Sequence, residues 1–203
     1  MYDLIIFDLG NVLVDVDFPD LVRRLAARSP RSEQDITTFF ASGELKRDHD
    51  RGIVTTGDFC DACAAWLEIP GMGPREFLDV WPTVFSPTAG AKNLMDSWPA
   101  TVKRWLLSDT DPVHYGRCYN DYPYIRGFDR YLLSCRMGRV KTDPGAFEPV
   151  AELVRQEGAR ALFLDDRQVI VEQALRAGIE ARVFVRWDEA TLALVTGNRH
   201  QVA

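Results

Sequence analysis

Long hydrophobic runs are missing from this 203-residue chain: the longest uninterrupted apolar stretches are only a few residues, far short of a membrane span. Positive charge is also in short supply. Lys and Arg number 24 against 30 Asp and Glu, a formal charge of -6, and the arginines are interleaved with acids, as from Glu152 to Glu157. That balance excludes the clustered basic surface that a nucleic-acid backbone demands. A local pocket can still oppose the net charge, so a small phosphate-bearing molecule stays open as a ligand. Cysteine is sparse: four residues (Cys60, Cys63, Cys118 and Cys135) are too few for a disulfide scaffold in a chain this long. Repeats and low-complexity tracts are absent, and the start of the chain, Met1-Tyr2-Asp3-Leu4, carries no basic region followed by an apolar run. Cytoplasmic residence, as a monomer or homodimer, is the expectation.

Cys60 and Cys63 form a CxxC that invites a zinc or redox reading. Their neighbours Phe59, Trp66 and Leu67 share helical spacing with Cys63, which places that thiol on a buried helix face. A second CxxC or a histidine pair to complete a zinc site is missing.

What is present is alternation. Leu4-Ile5-Ile6-Phe7 is a continuous apolar run of the kind found in a strand covered on both faces. Comparable runs lie at Trp105–Leu107, Tyr131–Leu133, Ala161–Leu164 and Ala181–Val185, with amphipathic segments between them. This predicts an α/β domain with a Rossmann-like, parallel five-stranded sheet. Some ninety residues between the first two runs read as helical. Phe18–Arg28 is one segment, Ser32–Phe40 another with Ser32 as N-cap, and a turn around Gly52 leads to the Phe59 helix. Pro74 opens a further helix towards Phe85, which Pro82 should kink or end, and Ala89–Ser97 leads back to the sheet. The expected organisation is a core of residues 1–16 and 88–203 with a helical cap, residues 17–87, inserted after the first strand.

In an open parallel sheet, function gathers at the carboxyl ends of the strands. Those ends carry Asp8-Leu9-Gly10-Asn11, then Ser108-Asp109-Thr110, then Lys141 beyond the third run, then Asp165-Asp166. Each taken alone has an ordinary reading: a turn aspartate, a capping serine in competition with Thr110 or Asp111, a surface lysine. Two adjacent carboxylates repel, however, and call for a cation. Together the residues suit phosphoryl transfer. Asp8 attacks phosphorus. Asp8, Asp166 and Asp165, with the carbonyl of Gly10, offer hard oxygens to Mg2+, while Ser108 and Lys141 bind the phosphate.

In this order the residues resemble the four motifs of the haloacid dehalogenase (HAD) superfamily. The matching stretches are Ile5–Val14, Leu106–Ser108, Lys141–Pro144 and Leu162–Asp166, with Gly178 downstream. Within it the chain is most similar to the α-D-glucose-1-phosphate phosphatase-like branch, on Asp8–Val12, His49–Gly52, Ser108–Thr110 with His114 beyond, and Asp121–Arg126. The resemblance implies a HAD-like core, a magnesium-dependent phosphoric monoester hydrolase, and a small phosphorylated metabolite as substrate, such as a sugar phosphate. It implies Asp8, Lys141 and Ser108 as catalytic groups, with Asp109, Thr110 and His114 beside the substrate. A dehalogenase-type hydrolase and a weakly active, ligand-binding relative are the alternatives.

Four departures stand out. Gly10 replaces the acid/base aspartate found two residues after the nucleophile in most phosphatases of the superfamily, which favours good leaving groups such as an anomeric oxygen, or shifts the role to His114 or an ordered water. Asp109 stands where the family usually has Asn, and needs Arg139 or another cation to offset it. Ile170 takes a place often held by Asn or Asp in support of the metal, and Thr142 that of a Pro. From the cap, His49, Arg51 and Trp66 are candidates to close over the site.

Overall fold

The computed structural model describes residues 1–197. Its first strand, β1 (Leu4–Phe7), has no solvent contact on either face, and its side chains divide by parity between two layers. Ile5 and Phe7 join Leu106, Leu162 and Leu164 in one apolar cluster. Leu4 and Ile6 join Trp105, Leu107 and Phe163 in the other. A short strand, β2 (Val14–Val16), follows. Five helices come next: α1 (Phe18–Ala26), α2 (Glu33–Ser42), α3 (Glu44–Asp50), α4 (Thr56–Leu67) and α5 (Pro74–Val80). The chain then runs through β3 (Phe85–Pro87), α6 (Ala91–Asp96), β4 (Lys103–Ser108), α7 (Pro112–Asp121), β5 (Arg130–Leu133), α8 (Ser134–Met137), α9 (Glu148–Glu157), β6 (Ala161–Asp165), α10 (Gln168–Arg176), β7 (Glu180–Val183) and α11 (Glu189–Thr196).

The main sheet has the order β5-β4-β1-β6-β7, with every pairing parallel. This is the expected five-stranded α/β sheet. The chain builds outward from β1 on one side and then on the other, so the ends of β4, β1 and β6 face the crevice where such sheets bind ligands.

The inserted helices carry a hydrophobic cluster of their own, from Leu21 to Val84, in which Phe59, Phe77 and Trp81 are fully buried. Its rings meet edge-on or stacked, with Phe59 at 5.2 Å and Phe77 at 5.6 Å from Trp81. Cys60 and Cys63 lie inside this cluster as free thiols, and burial pushes the Cys63 thiol well up, the opposite of a reactive cysteine. Ser32 caps α2 in a reciprocal capping box with Asp35.

The helix opened by Pro74 stops at Val80, just before Pro82, whose missing N–H and ring bulk end it as expected. One expectation on local structure is corrected. Residues 85–87 are strand, not helix: β3 pairs antiparallel with β2, and Thr88 Oγ1 donates to Asp15 Oδ1 at 2.6 Å. This two-stranded strap ties the two ends of the insertion together.

Candidate active site

Asp8 is the first residue past β1, held at the sheet's end by its N–H donating to Leu164 O at 2.9 Å. The turn that follows needs Asn11 in the left-handed region (φ 56°), a conformation that Asn tolerates better than most side chains. Asn11 uses that position fully. Its Oδ1 accepts from Val16 N at 3.1 Å and its Nδ2 donates to Asp166 Oδ2 at 2.9 Å, fixing the first loop against the end of β6.

Lys141 lies in the irregular segment after α8, with its ammonium almost entirely buried. Nζ donates to Asp8 Oδ1 at 2.5 Å and to Asp165 Oδ2 at 2.7 Å. A buried cation is tolerable only when paired in this way. Burial alone would lower the Lys141 pKa, but Asp8 and Asp165 together raise it, so the lysine stays charged. For Asp8, burial is the largest influence and raises its pKa; Asp165 adds to the rise, while Lys141 and Arg167 oppose it. Lys141 and Arg167 together do not offset the cost of burying this carboxylate as an ion.

The donor set for a cation is present. Asp8, Asp165 and Asp166 offer carboxylate oxygens that all lie within 4.8 Å of one another. Three hard oxygens at one crevice suit magnesium, which takes one or two carboxylates plus water and phosphate. Lys141 takes one oxygen each of Asp8 and Asp165, and the other oxygen of Asp165 accepts from Arg167 N at 3.0 Å.

Beyond β4, Ser108 is buried, and its hydroxyl makes only a long 3.5 Å contact with Asp109 O. The capping role falls to Asp111, whose Oδ1 accepts from Val113 N and His114 N at the start of α7. Ser134 Oγ bonds both the N–H and the carbonyl of Thr110, at 2.8 and 3.1 Å, and so shapes the loop. A cleft of about 190 Å³ opens above Ser108, Asp109 and Thr110, with Gly10 and His114 also in its walls. Its apolar side is Leu9, Val16, Phe18, Val84 and Phe85, and α3 contributes Lys46.

The structure thus gathers Asp8, Lys141, Asp165 and Asp166 at one point, with Gly10, Ser108, Asp109, Thr110 and His114 around the adjoining cleft. His114 is engaged there in other work. Its Nδ1 is 3.0 Å from Asp111 Oδ2 and its Nε2 is 3.1 Å from Trp81 O, so both ring nitrogens face acceptors. The cap candidates lie elsewhere. His49 is buried against Phe59, Arg51 binds Asp143, and Trp66 stacks on Phe39 at 4.0 Å. Lys46, on α3, is the charged residue that the helical segment brings to the cleft, and no periodicity in the sequence distinguishes it. Arg139 makes no ion pair with Asp109 among the described residues; its guanidinium donates to Gly145 O at 3.5 Å. The offsetting cation is Arg167, 3.3 Å from Asp109 Oδ2 and adjacent in sequence to Asp166. Ile170 is wholly buried in the apolar layer of Ile6 and Phe163, so it serves packing.

A parallel sheet with acidic strand ends beneath a helical insertion defines an α/β fold of the HAD type. The chain has the fold of the HAD superfamily, as comparison with solved structures shows. No protein-family profile matches it. A HAD family enzyme from Bacteroides thetaiotaomicron, in complex with magnesium and inorganic phosphate, superposes with a TM-score of 0.78 at 20% identity, over 93% of this chain and 97% of that one. A HAD-like family hydrolase from Porphyromonas gingivalis gives 0.77 at 22% identity, over 99% and 100%. The L-2-haloacid dehalogenase of Xanthobacter autotrophicus, with chloropropionic acid covalently bound, gives 0.63 at 18%, over 95% and 81%.

Proposed function

We propose that the chain is a magnesium-dependent phosphatase of the HAD superfamily that acts on a small phosphorylated metabolite, a sugar phosphate being the preferred class, through an aspartyl-phosphate on Asp8. The observation that carries this reading is the Asp8–Lys141–Asp165 arrangement with Asp166 beside it: a buried carboxylate at a strand end, one lysine across it, and spare acidic oxygens for a cation. Asp8 and Asp166, with the Gly10 carbonyl, would hold magnesium, and Asp165 completes the acidic set while positioning Lys141. When bound, the metal supplies positive charge that neutralises the phosphate and holds Asp8 ionised. The magnesium and phosphate held by the Bacteroides enzyme of the same fold support this choice.

The chain's own groups then divide the work. Lys141 binds a phosphate oxygen and keeps Asp8 from being repelled by the dianion. The Ser108 hydroxyl, with the loop to Thr110, holds a second oxygen. Asp8 attacks phosphorus and the ester oxygen departs; water then hydrolyses the aspartyl-phosphate, so one hard step becomes two. The apolar wall of the cleft and Lys46 face the departing group. His114 borders the cleft, but its committed nitrogens point to a structural role in fixing Trp81 and Asp111. Leaving-group protonation is therefore assigned to ordered water, in keeping with a leaving group that needs little help. Cytoplasmic residence as a monomer or homodimer belongs to the same reading; among the described residues, no helix is long and apolar enough to cross a membrane.

A second reading, dehalogenation, has the covalent adduct in the Xanthobacter enzyme in its favour. It has no use for the Asp165–Asp166 pair. Hydrolysis of an aryl phosphate, measured with magnesium and with EDTA, separates the two. Turnover should require magnesium and fall by at least about 10³-fold in Asp8→Asn, the scale expected when a nucleophile is removed. Activity retained by Asp8→Asn would end the mechanism, and turnover of a 2-haloacid without metal would favour the alternative.

A further inference from the structure

Asp109 puts a carboxylate beside the phosphate position, where the related motifs usually have a neutral amide. Its geometry is specific. Oδ1 accepts the main-chain N–H of Lys141 at 2.8 Å, and Oδ2 faces Arg167 Nη2 at 3.3 Å. The carboxylate therefore fixes the peptide that carries the phosphate-binding lysine. A neutral Asn could accept the same N–H, so that bond does not explain the charge.

Arg167 follows the acidic pair directly, and it is anchored at two levels. Its N–H donates to Asp165 Oδ1 at 3.0 Å, and its guanidinium Nε lies 3.8 Å from the same oxygen. Its side chain, about 44% exposed, thus spans Asp109 and Asp165 at the rim of the acidic cluster. Counting formal charges, Asp8, Asp109, Asp165 and Asp166 stand against Lys141 and Arg167. Without Arg167, Lys141 would be the one side-chain cation of this group left to oppose those carboxylates.

We propose that Arg167 is a positioning residue that acts through Asp109. The Asp109–Arg167 pair joins the end of β4 to the end of β6, holds the Lys141 peptide in place, and cancels a charge that would otherwise repel the substrate's phosphate. The proposal rests on the phosphatase reading for its consequence in turnover, but the pairing itself is independent of turnover. It is a compensated pair: each member is tolerable because the other is present. Losing Arg167 alone should therefore cost more than losing both charges together.

A double-mutant cycle tests this, read by aryl-phosphate kinetics with magnesium and by calorimetric titration of inorganic phosphate. Arg167→Gln should weaken phosphate binding and raise KM by roughly tenfold with a smaller change in kcat, as expected for an uncompensated like charge. Adding Asp109→Asn to Arg167→Gln should restore both to within about threefold of the unmodified protein. A purely structural arginine would not be rescued by a change in Asp109, so a double variant as impaired as Arg167→Gln would overturn the inference. If no variant hydrolyses the ester but phosphate binding follows the cycle, the pair stands and the phosphatase reading fails. If the unmodified chain neither binds phosphate nor hydrolyses the ester, both fail.

Discussion

Asp8 and Lys141 are each expensive to bury, and each is affordable because of the other. Among the described residues Lys141 alone bridges Asp8 to Asp165, so Lys141→Met would leave two neighbouring carboxylates facing each other at low dielectric. Breaking such a buried set costs about 3–5 kcal/mol. Chemical denaturation without metal should show that loss, and saturating magnesium should recover part of it, because added positive charge replaces the ammonium's. A Lys141→Met protein as stable as its parent in EDTA would mean that the cluster is not held by charge. Gly10 poses the complementary question. A Cβ built there meets Val16 Cγ2 at 3.2 Å, a contact that a side-chain shift relieves, so an aspartate fits at modest cost. Supplying the missing acid should raise turnover of alkyl phosphates by about 10- to 100-fold and that of anomeric phosphates much less. Equal gains on both substrates would show that Gly10 does not select for the leaving group, and no gain on either that the leaving group does not wait for a proton here.

At the scale of elements, the insertion is joined to the core by Trp81, which follows α5. Its Nε1 donates to Asp111 Oδ2 at 3.0 Å, its carbonyl faces His114 Nε2, and its ring stacks on His114 at 4.6 Å. Asp111 in turn caps α7, the helix that begins just past the Ser108 loop. Trp81→Phe keeps an aromatic ring but removes the donor from a fully buried carboxylate, a loss worth about 1–3 kcal/mol in urea unfolding. A cost below about 0.5 kcal/mol would show that Asp111 is satisfied without it. Much of this architecture was legible beforehand. The five central strands were readable because strands buried on both faces are continuous apolar runs, and α2 because Ser32 sits where a cap must. The β2–β3 strap was not, since three-residue strands containing Asp15 and Pro87 have no periodicity to detect. The site divides in the same way. Asp8, Ser108, Lys141 and Asp165-Asp166 announce themselves by falling at strand ends. Arg167, Lys46 and the Asp111–His114–Trp81 cluster depend on partners distant in sequence, and only packing reveals them.

Across the whole molecule, the acid response of stability follows from how these charges are buried. His49 has no exposed surface; it stacks on Phe59 at 4.1 Å, and its Nδ1 finds no hydrogen-bond partner among the described residues. Burial lowers its pKa to about 4, with Lys46 and His114 pushing the same way and Asp111 opposing. The unfolded chain takes up that proton near pH 6.5, while the folded chain resists it until about pH 4. His49 therefore contributes stability at pH 7 that is lost as the pH falls through this window, about 2 kcal/mol of it by pH 5. Asp111 adds to the loss only at lower pH. Burial raises its pKa, but His114, Lys46 and His49 together hold it below the usual carboxylate range, so its contribution fades below about pH 4. Asp8 works in the other direction: its pKa is raised, so its folded-state advantage is full in acid and declines as the pH rises. A bare comparison of pH 7 with pH 5 would mix the two. Comparing the chain with His49→Phe cancels Asp8, because both proteins carry it. On going from pH 7 to pH 5, urea unfolding should show the parent losing about 2 kcal/mol more than the variant, whatever the variant's stability at pH 7. Equal losses would mean that His49 is already protonated in the folded protein, with Asp111 3.9 Å away as its counter-ion.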